Sequence, residues 1–302
     1  MSEYDIIIIG AGPGGLTAGI YAGRQGTKNL ILDKGLAGGL GREVPEMENY
    51  PGYINISGLK LTETMKEQAE KNCELHENEE VLEITKADKF QVKTTNDTYT
   101  AKSIILATGS SHRHLDVEGE EEFLGRGVSY CATCDGLFFQ NRDVIMVGGG
   151  NSALQEAIYL NNLGANVTVV HRRDEFRAQK HLQNILKEKG INTILNAEVV
   201  KINGDMLVES VTLKDKKTNE LKDIPTNGVF ISVGYIPHTE LATQLDVKLD
   251  ETGHIITDKN QKTNIGYVYA IGDVCVGLKQ WVVACGEGAV AATSAYIDIT
   301  QN

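Results

Sequence analysis

The chain has 302 residues, with 29 Lys and Arg set against 41 Asp and Glu, a formal charge of -12. That surplus of acid repels polyanions and argues against nucleic acid or anionic lipid as a partner. The composition is that of a soluble globular protein long enough for two domains, and MSEYDIIIIG holds too short an apolar run for a signal peptide or a membrane span, so a cytoplasmic location is expected.

Residues 5–9, DIIII, predict a buried parallel strand. The turn GAGPGG follows, then LTAGIYAGRQG, small and apolar enough for a helix packed on a sheet, and NLILD closes a βαβ unit. The spacing Gly10-x-Gly12-x-x-Gly15 lets a pyrophosphate approach the free N–H groups at a helix N-terminus. Asp33, ending the second strand, is placed to accept from a ribose hydroxyl, which suits an adenosine without a 2′-phosphate. Residues 80–101 alternate polar and apolar and predict an inserted β-meander, after which IILATGS (104–110) runs apolar into a glycine.

The scheme then repeats. VIMV (144–147) leads into GGGNSA, the helix ALQEAIYLNNLG and the strand NVTVV ending at His171, and Gly148 to His171 keeps the spacing of Gly10 to Asp33. This copy uses Gly148, Gly150 and Ala153, and where the acid should stand it has His171-Arg172-Arg173, with Arg177 beyond. Guanidinium forks bind a 2′-phosphate that an aspartate would repel, so the second site is expected to prefer NADP(H). A plainer alternative reads HRRDEFR as a solvated helix start with local salt bridges. FAD together with NADPH is the economical pairing for one chain with both sites. Residues 197–224 predict a second meander, VFISVGY (229–235) and VYAIGDV (268–274) two more strands ending at glycine, and VVACGEGAVAATSAYIDI an Ala/Gly-rich helix against a cofactor or sheet. The fold class is therefore α/β, with two Rossmann-like nucleotide-binding domains and crossings near 113–117 and 243–247.

Between the two copies lies YCATCDG (130–136). A structural zinc site needs four ligands; no second Cys pair exists, and His112 and His114 are poorly spaced to close a site around Cys131, so no metal is expected. A static disulfide is disfavoured in a reducing compartment. What remains is dithiol chemistry between Cys131 and Cys134, with Asp135 as a neighbouring acid able to move the proton, or else a turn-former before Gly136. Cys73, Cys275 and Cys285 are scattered singly and read as apolar packing.

CATCD in this setting, with GAGPGG, GG then ENYPG across 38–52, ATG at 107–109, GGGNSA, HRRDEFRA, GYIPHT, and GD with KQ near the end, resembles the low-molecular-weight thioredoxin reductases over nearly the whole chain. The resemblance implies a thioredoxin-disulfide reductase with an NADPH domain, 116–245, inserted into an FAD domain of 1–115 and 246–302, each of three-layer ββα build. It also implies a homodimer, and thioredoxin or a similar small dithiol protein as partner. It places the FAD pyrophosphate on Gly10, Gly12, Pro13, Gly14 and Gly15, the ribose on Asp33, and the flavin near Gly38, Gly39 and Asn49. Gly272, Asp273 and Val274, with Lys279 and Gln280, would meet the ribityl and isoalloxazine. The phosphate contacts of NADPH fall on Arg172, Arg173 and Arg177. Cys134 would face the flavin, Cys131 would attack the partner disulfide, and Asp135 would donate the proton. Leu40, Val81, Ala107, Thr108, Gly109, Asn151, Ser152 and Gly234 complete the implied cofactor-binding set. The chain departs from the family pattern at Leu40, where a glutamine is usual, at Lys279 in place of arginine, and at Trp281 in place of a small residue. Competing expectations are a same-fold reductase of another dithiol protein, one fed by ferredoxin or a deazaflavin, and a non-catalytic redox-sensing module.

Overall fold

The computed structural model describes residues 2–44, 47 and 49–301; the side chain of Glu43 and the residues Met1, Pro45, Glu46, Glu48 and Asn302 lie outside it, and with Glu48 the first position of the ENYPG motif. The chain forms two compact units. One holds the residues up to Ser111 and again from Ile236, and the other holds His112–Tyr235.

In the first unit, β1 (Glu3–Ile9), α1 (Pro13–Arg24) and β2 (Asn29–Leu32) make the expected βαβ, the strands parallel with Ile6 opposite Asn29. Ile6, Ile7 and Ile8 are fully buried, as a strand covered on both faces requires. Helix α2 (Gly58–Glu70) starts at Ser57, whose hydroxyl accepts from the Lys60 amide at 3.2 Å, and leads into β3 (Glu74–His76). The predicted meander is β4 (Val81–Lys86), β5 (Phe90–Thr94) and β6 (Thr98–Leu106). β6 joins the layers because it is long: one edge pairs with β1, while the other is shared between antiparallel β5 and, toward Leu106, a later parallel strand. β7 (Ser110–His112) leads out.

The second unit repeats the design with β8 (Val128–Ser129), α3 (Ala132–Asp135), β9 (Asp143–Val147), α4 (Asn151–Asn162), β10 (Asn166–His171), α5 (Lys180–Glu188) and β11 (Asn192–Leu195). A three-stranded antiparallel meander, β12 (Ala197–Gly204), β13 (Val208–Asp215) and β14 (Leu221–Pro225), precedes β15 (Gly228–Ile231). The parallel sheet runs in the order β11-β10-β9-β15-β8.

The chain returns to the first unit through β16 (Tyr235–Pro237), which pairs with β7, and α6 (Glu240–Gln244), where Gln244 accepts from the Ile84 amide at 2.9 Å. β17 (Val268–Ala270) is the parallel strand on β6, and α7 (Trp281–Gln301) closes the chain. By length and composition α7 could cross a membrane. It packs instead on α1, where a side chain at Gly288 would collide with the Gly14 carbonyl, and it buries Ala291, Ala292 and Ala295.

Candidate functional site

The two glycine turns carry the same geometry. Gly12 is the N-cap of α1 and Gly150 the N-cap of α4; both are extended, neither helix has a side-chain cap, and no atom lies within 4 Å of the place a side chain would occupy at either glycine. Each helix therefore offers uncapped N–H groups to open space, where an anionic group gains about 0.3–1 kcal/mol from the helix terminus alone. Gly10, at φ 109°, brings β1 so close to the Ala107 carbonyl that a Cβ could not enter. These cradles fit dinucleotide pyrophosphates. Asp33 stands at the end of β2 as expected, and its carboxylate also holds the loop: Oδ2 accepts from Ala11 N at 2.6 Å and Oδ1 from Gly35 N at 2.8 Å. A carboxylate with one bond on each oxygen retains lone pairs for a ribose hydroxyl.

Around the first turn, Gly38 and Gly39 take positive φ, and Asn49 donates to Gln280 Oε1 at 3.0 Å, bringing two sequence-predicted flavin contacts together. The Ala107-Thr108-Gly109 segment is fixed by His238: Thr108 Oγ1 donates to the His238 carbonyl at 2.6 Å, and the His238 amide donates to Gly109 O at 3.0 Å. Gly272 N donates to Glu287 Oε2 on α7 at 2.6 Å, and burial pushes the carboxyls of Glu287 and Asp273 upward. Lys279 bends inward and donates to the carbonyls of Asp273 and Cys275; its partial burial lowers its pKa. Val81, half-buried at the start of β4, and half-buried Leu40 belong to the same unit. Trp281 begins α7 with its ring against Gly41 and edge-on to Tyr50 at 6.4 Å, and its indole N–H is buried with no acceptor among the described residues.

In the second unit Ala153 is buried under the turn, and exposed Asn151 accepts from Gln179 N at 2.8 Å. Ser152, beside Asn151, is exposed in the first turn of α4. The amides of Arg177 and Ala178 both donate to Gly149 O, at 2.9 and 3.2 Å, which ties the arginine loop to the glycine turn. Arg172, Arg173 and Arg177 are exposed, and none pairs with a carboxylate among the described residues. Residues 172–179 precede α5 as loop, so the reading of a salt-bridged helix start does not describe them. His171 is different: it is buried, stacked on Phe176 at 5.5 Å, and sits against Gly149, its pKa lowered by desolvation and by the three arginines. Gly234, at φ 110°, lies on the way out of the unit with no atom near its absent side chain.

Glu156 went unnoticed in the sequence because an acid on an amphipathic helix reads as solvated. On α4 it is half-buried, takes a 3.3 Å bond from Ser232 Oγ, and desolvation pushes its carboxyl up to about 7. The raised folded pKa means that the folded state holds a proton that the unfolded chain gives up near its ordinary 4.5. The associated stability is complete below that value and is lost as pH rises to about 7. Glu156→Gln, which imitates the protonated form, is predicted to exceed the native chain by up to about 3 kcal/mol above neutrality, with the gap closing in acid. Thermal unfolding of both proteins across pH checks this; a constant gap would contradict it.

The dithiol lies on the turn after β8. Cys131 and Cys134 form a disulfide, with Cα atoms 5.2 Å apart, and both residues are half-buried. Cys131 is the N-cap of α3, and its sulfur accepts from the Cys134 amide at 3.2 Å with Thr133 Oγ1 at 3.3 Å. Those dipoles favour a thiolate at Cys131 once the bond opens. Asp135 Oδ2 accepts from the hydroxyl of Ser129 at 2.6 Å. Tyr130 is held outward, donating to Glu120 at 2.5 Å, with its ring stacked on His112 at 5.0 Å. His112 and His114 thus serve Tyr130, and no metal-type cluster occurs among the described residues. Burial disfavours the thiolate at the other cysteines, pushing Cys73 up to about 12 and raising Cys275 and Cys285 as well.

Comparison with known proteins places this geometry among relatives. The family model described as pyridine nucleotide-disulphide oxidoreductase matches residues 4–288. A thioredoxin reductase of Treponema pallidum is 43% identical over 100% of this chain and 99% of its own length. Among solved structures, thioredoxin reductase from Streptococcus pyogenes is 42% identical with a TM-score of 0.83, covering 100% of this chain and 99% of its own. That from T. acidophilum is 41% identical with a TM-score of 0.77, covering 99% of each chain.

Proposed function

Because the chain belongs to the thioredoxin reductases of the pyridine nucleotide-disulphide oxidoreductase family, we propose that it passes electrons from NADPH through FAD to its Cys131–Cys134 disulfide, and from there to the disulfide of thioredoxin or a similar small dithiol protein. The closed Cys131–Cys134 pair, in the unit that also carries the arginine-flanked dinucleotide turn, is the observation that carries this reading. On this reading the unit up to Ser111 and from Ile236 takes FAD and His112–Tyr235 takes NADPH, the second crossing falling earlier in the chain than the 243–247 expected from the sequence.

Bound FAD supplies a two-electron carrier between the hydride of NADPH and the disulfide. The chain's residues do the rest. The uncapped amides of α1 hold the FAD pyrophosphate, and Asn49, Lys279 and Gln280 stand on the flavin side. Arg172, Arg173 and Arg177 grip the 2′-phosphate, which favours NADPH over NADH and over a protein electron donor. After reduction, Cys131 as thiolate attacks one sulfur of the partner disulfide; an S–S bond forms between the proteins, and the departing partner sulfur takes a proton, supplied from the side of Asp135. The Cys134 thiolate then attacks Cys131 Sγ, which restores the internal disulfide and releases the second partner thiol. Both electrons have moved to the partner.

A homodimer fits the exposed apolar side chains Val282, Val290 and Ile297, which recur along one face of α7. Cytoplasmic residence fits a dithiol that must be opened and closed in turnover. The test is NADPH oxidation by the flavin-loaded protein with and without oxidised thioredoxin, with NADH, ferredoxin and a deazaflavin as alternative donors. Consumption of NADPH that depends on thioredoxin is expected. A flavin that NADPH leaves oxidised while another donor reduces it removes the donor assignment.

A further inference from the structure

We infer that Ser129 is a positioning residue for thiol exchange, its single buried hydroxyl fixing both the Asp135 carboxylate and the backbone of Cys131; the inference rests on Cys131–Cys134 being the exchanging pair. Ser129 ends β8, is 4% exposed, and its strand pairs with β15, Val128 opposite Val229 and Ser129 opposite Phe230. The sheet thus holds the hydroxyl from below. Toward the turn, Ser129 Oγ donates to Asp135 Oδ2 at 2.6 Å and accepts from the Cys131 amide at 3.0 Å, with Cys131 O at 3.3 Å.

None of these bonds involves sulfur. Opening the disulfide breaks none of them directly, so the carboxylate that handles the proton and the backbone that carries the attacking sulfur share one anchor on the sheet. With Ala at 129, Asp135 loses the donor that orients it and the Cys131 amide loses its acceptor. A displacement on the order of 1 Å at a reacting group can cost about a hundredfold in rate.

A double-mutant cycle on the flavin-loaded full chain separates positioning from mere support. Ser129→Ala is expected to lower kcat for thioredoxin about ten- to a hundredfold while the KM for thioredoxin stays nearly constant. Ser129→Thr, which keeps the hydroxyl, is expected to recover most of the rate. In an Asp135→Asn background, adding Ser129→Ala is expected to cost clearly less than it does in the native chain, because one of the two groups the hydroxyl positions is already gone while the Cys131 amide remains to be released. Full multiplication of the two losses, or a KM effect with unchanged kcat, would overturn the inference. Undiminished turnover by Asp135→Asn alone would overturn it as well, even were Ser129→Ala to misfold. Repeating the cycle with a small aromatic disulfide in place of thioredoxin keeps the two ideas apart. A native chain that reduces the small disulfide and not thioredoxin refutes the partner assignment and leaves the Ser129 cycle readable.

Discussion

Cys131→Ser and Cys134→Ser are each expected to bring thioredoxin turnover to background, while NADPH still reduces the bound flavin in both. The physical reason lies in how the two sulfurs divide the work. Exchange needs one sulfur to attack outward and a second to resolve the mixed disulfide, and a serine oxygen does neither. The dinucleotide turns are built from other elements, α1 and α4 with their uncapped N-termini, so hydride entry survives the loss of either sulfur. Because the pair acts as a unit, the double variant is expected to cost no more than either single one. The two variants also differ in a readable way. With Cys134 replaced, Cys131 retains the amide N–H that faces its sulfur and is expected to trap thioredoxin as a stable mixed disulfide; with Cys131 replaced, no such adduct forms. Turnover by either single variant would remove the dithiol from the electron path, and a trapped adduct on Cys134 would reverse the roles of the two cysteines.

The second large effect is expected from Arg172→Ala combined with Arg173→Ala. Each charge-assisted bond to a phosphate is worth about 1.5–3 kcal/mol, so losing two raises the KM for NADPH by at least about a hundredfold. NADH, which lacks the 2′-phosphate, is expected to change little. The geometry supports the contrast, since both guanidiniums are exposed on a loop that the Arg177 and Ala178 amides fasten to Gly149, beside the glycine turn. Steady-state constants for both coenzymes decide it. Equal changes would mean that the arginines only solvate the surface.

What could be read from the sequence was what local spacing controls. The strand-turn-helix-strand pattern from Ile6 to Asp33, and again from Val144 to His171, is short-range, and β1 to β2 and β9 to β10 form as their apolar runs require. The adjacency of Cys131, Cys134 and Asp135 is likewise a property of one turn. The partners that fix these residues come from elsewhere in the chain and leave no local trace. Ser129 is a common residue type at the end of a two-residue strand, and only the folded turn brings it to Asp135. Glu156 looks like one more surface acid until Ser232, far along the chain, covers it. His238 and Glu287 reach Thr108 and Gly272 by tertiary contact, although an acid within the otherwise apolar VVACGEGAV was a signal the sequence carried. His171 shares a register position with Asp33, yet the register alone could not show that its ring would stack inward on Phe176. Trp281, where the resemblance implies a small residue, packs its large ring into the space that Gly41 leaves.

The most direct test is an anaerobic titration of the flavin-loaded protein with NADPH, followed by alkylation and mass spectrometry before and after adding oxidised thioredoxin. The account predicts that NADPH reduces the flavin and exposes both Cys131 and Cys134 to alkylation, while Cys73, Cys275 and Cys285 stay slow; thioredoxin then protects Cys131 and Cys134 again as its own thiols appear. A reduced flavin beside a Cys131–Cys134 bond that never opens would contradict it.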